Sequence, residues 1–377
     1  MTDLNTLFSE LKKNGIDFFT GVPDSLLNDF CTYLSDNFPA SKHIMAANEG
    51  NAVGIAAGYH MATGRLPVVY MQNSGIGNAM NPLLSLTHRD VYSIPMILVI
   101  GWRGAPDIED HCQHRKQGEL TPVLMADMDI PCQVLDSEDS VVEKFMWAQH
   151  TAREIGSPVA LIVKKGILSR KDKKQSYPES QLLSREEAIG TVLDTLGDRG
   201  VYLATTGRAT RELHEQLKLH GLAAGHEFLN VGAMGHLSSI ALGMATGCPD
   251  RKIVVFDGDA SAVMHLGSLA TNGRYMPGNL IHIVLNNGVN ESVGGQESPG
   301  QTADLTQIAA ACGYETAGGA IKDREGLQRI IQGFHNQDRP CFIDMHVRQG
   351  IRPDMPKLSI DHLRVKSDLM DQFKYNK

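Results

Sequence analysis

At 377 residues, with 42% hydrophobic and 21% charged residues, the chain has room for two or three domains and an ordinary globular composition. Its net charge of −8 leaves no basic excess, which excludes a general nucleic-acid binder and confines any phosphate affinity to a local site. No apolar run reaches the length of a membrane span, the N-terminus lacks the apolar core of a signal peptide, and the six cysteines form no C-x-x-C pair, so a cytoplasmic protein with free thiols and no membrane partner is expected.

The chain opens on an amphipathic helix pattern, MTDLNTLFSELKKNG. Apolar runs at 18–22, 43–47, 67–71, 96–100, 132–135 and 160–164 then read as strands, with helix patterns at 24–37, 51–63, 77–88 and 141–155. That alternation predicts a parallel sheet with helices on both faces. Within it, Glu49 ends a strand and opens a helix of small residues. It reads either as a first-turn carboxylate or as a buried acid facing a cofactor or a second subunit. Gln72-Asn73-Ser74-Gly75 brings amides and a hydroxyl to another strand end; the glycines that follow lack the remainder of a dinucleotide fingerprint, so NAD is rejected. WRGAPDIEDHCQHRKQGE, residues 102–119, reads as a long polar loop carrying Arg103, His111, His114, Arg115 and Lys116. Anion capture fits this set better than a metal site.

Periodicity stops in the charged stretch at 166–187, an expected linker, and then resumes. Strands are expected at 201–205, 227–231, 252–256, 280–285 and 341–347, and helices at 210–220, 237–246, 262–272, 305–312 and 324–334. The tail after Arg352 is charged and carries no assigned element. Two doubly wound α/β domains follow from this pattern, with boundaries at 1–168 and 185–377 and a linker at 169–184. Gly232 and Gly235, at a strand end before a helix in the second domain, read either as a phosphate-binding turn or as a tight βα turn. One strand later Asp257-Gly258-Asp259 closes a strand and opens a helix, and the next strand ends in Asn286-Asn287-Gly288. Parallel strands end on one edge of a sheet, so Asp259 and the asparagines converge. A carboxylate, an amide oxygen and backbone carbonyls are hard ligands of the kind Mg²⁺ takes when it also holds phosphate oxygens.

Together these motifs resemble the thiamine-diphosphate-dependent decarboxylases: Gly258-Asp259 spaced to Asn287, Glu49 in a separate α/β half, and Gly232-Ala233-Met234-Gly235. The wording of GVPDSLL, QNSGIGNAMNPLLSL, IGWRG, QHRKQG, VGAMGH and ESVGGQ is most similar to the phosphonopyruvate decarboxylases, with the sulfopyruvate decarboxylases as near relatives. The resemblance covers essentially the whole chain. It implies a pyrimidine-binding and a diphosphate-binding domain with no middle domain, thiamine diphosphate and Mg²⁺ as cofactors, and a small 2-oxo acid as substrate. The implied metal ligands are Asp259, Asn287 and the Val289 carbonyl. Glu49 would hydrogen-bond the aminopyrimidine ring, and Met234 would hold the cofactor bent. Asn73, Gly75, Gly232, Gly258 and Ala260 would complete the cofactor surface. Asp24, Ser25, Arg103, His114 and Lys116 would line the substrate side. The family also implies a homodimer or homotetramer with active sites at the subunit interface. Two positions depart from the pattern, Ala260 at a usual glycine and Asn290 at a usual histidine, and both bear on cofactor affinity and rate. Phosphonopyruvate is the expected substrate; sulfopyruvate, or a weakly active cofactor-binding paralogue, is the alternative.

Overall fold

A computed structural model describes residues 4–137, 140–168, 177–334 and 338–374. The chain forms two compact units, Met1–Gln175 with Ser292–Gln296, and Ser176–Glu291 with Glu297–Lys377.

In the first unit, strands β1 (Phe19–Gly21), β2 (His43–Met45), β3 (Val68–Gln72), β4 (Ile97–Gly101), β5 (Cys132–Leu135) and β6 (Val159–Val163) form a sheet in the order β2-β1-β3-β4-β6-β5. Every pairing is parallel. Such a sheet is covered on both faces, and its central strands are accordingly unbroken apolar runs, VVYMQ, ILVIG and VALIV. Side chains alternate between two cores: Tyr70, Ile97 and Val99 join Phe30 and Phe145 on one face, while Val69, Met71, Leu98 and Ile100 join Ala52, Ala56 and Met125 on the other. Helices α1 (Leu4–Lys13), α2 (Asn28–Asn37), α3 (Glu49–Thr63), α4 (Ile76–Pro82), α5 (Cys112–Asp127) and α6 (Val141–Ile155) supply the covering layers.

The second unit repeats the plan. Strands β7 (Gly200–Ala204), β8 (Glu227–Leu229), β9 (Lys252–Gly258), β10 (Leu280–Asn286), Glu315–Thr316 and Cys341–His346 form a second six-stranded sheet. Read from β8 inward, its order is the same 2-1-3-4-6-5 pattern as that of the first unit. Both units are therefore doubly wound, and each carries a topological switch beside its first strand, where ligands of such sheets bind.

Several sequence expectations need correction. Residues 112–127, taken with the loop at 102–119, are helical; the packing surface of α5 is Gly118, Thr121 and Met125, and only one of these is a large apolar side chain. A Cβ on Gly118 would overlap Gly104, so the contact is backbone on backbone and leaves no apolar stripe to read. Of the linker, 169–176 lies outside the described residues, and Ser184 already caps helix α7 (Arg185–Leu196) through a reciprocal capping box with Glu187. The helix expected at 262–272 breaks at His265 into Asp259–Met264 and Gly267–Tyr275. That at 77–88 ends its α-helical part at Pro82 and continues as a π turn, Leu83–Thr87. The charged tail contains a helix, His362–Lys374, whose Leu369 is buried against β7 and β9 side chains. All six cysteines are free, and Cys112 is exposed.

Candidate active site

In the first unit the expected residues gather at the C-terminal ends of β1, β3 and β4. Asp24, just past β1, is fully buried; its carboxylate accepts from Gln72 Nε2 at 2.7 Å and from the Leu26 backbone N–H at 3.2 Å. Burial pushes its pKa up, with Gln72 and the Arg103 charge opposing. Arg103 follows β4 and is held by Asp110 through two bonds, Nε to Oδ2 at 2.7 Å and Nη2 to Oδ1 at 2.6 Å, while its Nη1 donates to Ser25 Oγ at 3.0 Å. The guanidinium beside Asp110 holds that acid well below the usual carboxylate range. Asn73 is entirely occupied: Nδ2 donates to the Arg103 carbonyl at 2.8 Å and to Thr121 Oγ1 at 2.9 Å, and Oδ1 accepts the Arg103 N–H at 3.2 Å. It ties β3 to β4 and α5 and has no donor left over.

On α5, His114 and Lys116 differ sharply. Lys116 is exposed and pairs with Glu119 at 2.9 Å. His114 is half-buried, and burial together with the Arg103 charge lowers its pKa to about 4, so near neutral pH it is a neutral ring. Its buried Nδ1 has no hydrogen-bond partner among the described residues, an arrangement that suits an incoming polar ligand.

Glu49 is the first residue of α3, capped by Asn48, whose side chain accepts from the Asn51 N–H at 3.0 Å. Glu49 thus lies in the first turn and is also buried. Its carboxylate accepts from Asn78 Nδ2 at 2.8 Å and rests on Gly75, where a Cβ would overlap it. No cation pairs with it among the described residues, and burial raises its pKa, with Asn78 opposing. An acid of this kind holds a proton more readily than a surface carboxylate and suits a shared proton with a ring nitrogen.

The second unit holds the metal-type residues. β9 and β10 pair in parallel with Leu285 opposite Gly258, so Asp259 and Asn286-Asn287 emerge from adjacent strands on one edge. Asp259 is buried, accepts from Ser298 Oγ, and lies against Gly300. Burial pushes its pKa up to about 6, with Ser298 opposing and Asp344 adding to the rise. The two asparagines separate cleanly. Asn286 is used by the framework, donating to the Gly300 carbonyl at 3.0 Å and to Asp344 at 3.1 Å and accepting the Gly288 N–H at 3.1 Å. Among the described residues the Asn287 amide oxygen meets only its own loop, the Val289 N–H at 3.2 Å. Across the switch, Thr205 Oγ1 contacts Ser261 Oγ at 2.9 Å, and Ser261 accepts the Gly235 N–H at 3.2 Å. The turn bearing Met234 takes positive φ at Ala233 and Gly235, and Asn230 braces it by donating to the Ala233 carbonyl at 3.2 Å. Gly232, Met234, Gly258 and Ala260 are partly buried around this edge.

These residues fit the expected groups. Among the described residues no cluster of three or more His, Cys, Asp or Glu side chains could hold a metal; the expected set is one carboxylate, Asp259, with the Asn287 amide oxygen and the Val289 carbonyl. That set is all hard oxygen, the choice of Mg²⁺ with phosphate co-ligands, and a divalent cation would supply the positive charge that buried Asp259 lacks. Sequence reasoning does not single out Ser298, Asp110 or Asn78. Ser298 lies 39 positions from Asp259 and Asn78 29 positions from Glu49, whereas Asp110 is only 7 positions from Arg103, inside the same polar loop.

Residues 1–125 match the family model for the thiamine pyrophosphate enzyme N-terminal TPP binding domain, and 205–345 that for the C-terminal TPP binding domain. The chain is 32% identical over 371 residues to a phosphonopyruvate decarboxylase of Streptomyces hygroscopicus, covering 93% of this chain and 88% of the relative. It is 32% identical over 354 residues to one of Streptomyces viridochromogenes, covering 89% and 86%. A sulfopyruvate decarboxylase of Methanosarcina acetivorans is 27% identical over 367 residues, covering 90% of each chain. No helix among the described residues is long and apolar enough to cross a membrane.

Proposed function

The chain belongs to the thiamine-pyrophosphate-dependent decarboxylases, and from that premise we propose that it converts 3-phosphonopyruvate to phosphonoacetaldehyde and carbon dioxide, a step of phosphonate biosynthesis in the cytoplasm. The observation that carries the substrate is the similarity to two phosphonopyruvate decarboxylases along nearly the whole chain. When bound, thiamine diphosphate supplies the carbon nucleophile and electron sink that make loss of carbon dioxide from a 2-oxo acid feasible.

The chain's own residues do the rest. Glu49, buried and with no cation paired to it among the described residues, would hold a proton or share it with the pyrimidine ring, while Asn78 and Gly75 fix its rotamer. Asp259, Asn287 and the Val289 carbonyl would hold Mg²⁺, and Ser298 orients Asp259. Met234, on its braced turn, would help hold the cofactor, with Gly232, Gly258 and Ala260 as further lining residues. On the substrate side, Arg103 supplies the fixed positive charge, and Ser25, Asp24 and the unpartnered ring nitrogen of His114 add polar contacts. Lys116 serves as an outer charge that draws the anion in. Asn73 supports this set by anchoring the Arg103 backbone, and Gly75 by admitting the Glu49 carboxyl.

Glu49 and Asp259 stand in separate units, each with its own sheet and core. From the family resemblance we infer a homodimer or homotetramer in which Glu49 of one copy serves the diphosphate residues of another. Mixing E49Q with D259A tests this: one hybrid site would have both groups intact, so activity returns on subunit exchange, whereas no recovery after exchange rules out shared sites. For the substrate, aldehyde release from phosphonopyruvate, sulfopyruvate and pyruvate is measured with cofactor present. A higher kcat/KM on sulfopyruvate would transfer the assignment to the second reading, which the Methanosarcina relative favours.

A further inference from the structure

Asn287 can place either end of its amide toward a cation, and only the oxygen is a ligand. Its Nδ2 donates to Glu291 Oε2 at 3.1 Å, and its Oδ1 accepts the Val289 N–H at 3.2 Å. A carboxylate only accepts and a backbone N–H only donates, so these two partners demand the same amide orientation.

Glu291 is itself held on all sides. Its Oε2 also accepts from Arg185 Nη1 at 2.5 Å; its Oε1 accepts from Arg208 Nη1 at 2.7 Å and from the Gly350 N–H. Arg185 is fixed in turn by Glu212, at 2.8 Å and 3.2 Å, and by the Gly350 carbonyl at 2.9 Å. Arg208 donates to Tyr177 Oη at 3.1 Å, with the guanidinium carbon 5.8 Å from the ring centre. Two guanidiniums and two carboxylates balance in charge, and Arg185, Glu212 and Glu291 are buried. Apolar side chains of similar volume commonly stabilise such sites as well as or better than the ions do, so stability alone is a poor reason for the cluster. Through Glu291 the cluster reaches Asn287.

We propose that Glu291, clamped between Arg185 and Arg208, is a positioning residue for the metal loop: it locks the Asn287 amide with its oxygen available to Mg²⁺. The inference rests on the reading of Asn287 as a metal ligand. Outer groups that orient metal ligands commonly change metal affinity by about 10–100-fold. The E291Q variant offers Asn287 an amide that can donate as well as accept, and so removes the constraint.

The test is calorimetric titration of Mg²⁺ into the full chain, stripped of cofactor and resupplied with thiamine diphosphate, for wild type, N287A, E291Q, N287D and N287D/E291Q. Circular dichroism checks the fold of each. Asp at 287 has no amide to orient and faces Glu291 with like charge. E291Q is therefore expected to weaken Mg²⁺ binding by at least about 10-fold in the wild-type background and to leave it unchanged or tighter in N287D. Equal weakening in both backgrounds means a merely structural role and overturns the inference, as does unchanged affinity in E291Q. Wild-type affinity in N287A removes the ligand assignment itself, and the inference with it. If E291Q does not fold, E291D is used in its place; it keeps the charge between the arginines but withdraws the oxygens by a methylene, and the same contrast between backgrounds is expected.

Discussion

Replacing Glu49 by Gln separates its chemical role from its structural one. The carboxylate is buried, accepts one bond from Asn78 Nδ2 at 2.8 Å and has no cationic partner among the described residues. A Gln carbonyl can accept that same bond, so the substitution exchanges one hydrogen bond for another, a change within about 1 kcal/mol, or roughly 2–4 °C in melting temperature for a unit of this size. The pH dependence has a definite sign. The folded-state pKa of Glu49 is raised above the ordinary glutamate value of 4.5 by burial. The native state then binds the proton more tightly than the unfolded chain, so stability falls as pH rises from 4.5 through the folded-state pKa. E49Q lacks that loss. Its stability relative to wild type, measured on cofactor-free protein by thermal melting at pH 5 and pH 8, is expected to improve at the higher pH. Decarboxylation should fall by more than about 10²-fold, the scale of lost proton-transfer assistance. Activity within a few-fold of wild type, or a relative stability that worsens toward pH 8, would refute the reasoning.

Three further outcomes follow from the same geometry. G75A inserts a methyl where the Glu49 carboxyl rests, and a displaced Glu49 should cost on the order of 10²-fold in kcat with the melting temperature nearly unchanged; steady-state kinetics beside a melt checks both. R185M leaves Glu212 and Glu291 without their shared buried cation, and urea unfolding of the cofactor-free chain should show a loss of about 3–5 kcal/mol. H114A should raise KM for phosphonopyruvate by about 10-fold or more while K116A changes it by less than about 3-fold, because a buried unpaired ring nitrogen counts for more than a solvated surface cation. The reverse ranking would exclude the assignment of His114 to the substrate.

What could be read from the sequence followed locality. Strands 132–135 and 280–285 and helix 141–155 were legible because an unbroken or periodic apolar pattern decides them within a few residues. Asp259 and Asn287 could be paired in advance because parallel strands necessarily bring their ends to one edge. Helix α5 was not legible: it packs through Gly118 on Gly104 and through Thr121, with Pro122 inside it, so apolar periodicity had nothing to act on. Helix α7 did announce itself through Ser184 and Glu187, but the surrounding charges read as linker. The support around the metal loop was out of reach for another reason. Arg185 meets Glu212 across 27 positions and Glu291 across 106, and no spacing rule connects residues brought together only by the finished sheet. The likeness in strand order between the units was equally hidden, since architecture repeats here without a residue-level repeat.

Cofactor dependence of carbon dioxide release from phosphonopyruvate tests the central claim most directly. The enzyme, dialysed against chelator, is assayed for carbon dioxide and aldehyde before and after thiamine diphosphate and Mg²⁺ are returned. The account predicts no release without the pair, recovery in equal molar amounts of carbon dioxide and phosphonoacetaldehyde when both are present, and no recovery in D259A. Release that persists in the stripped enzyme, or that D259A supports as well as wild type, would contradict it.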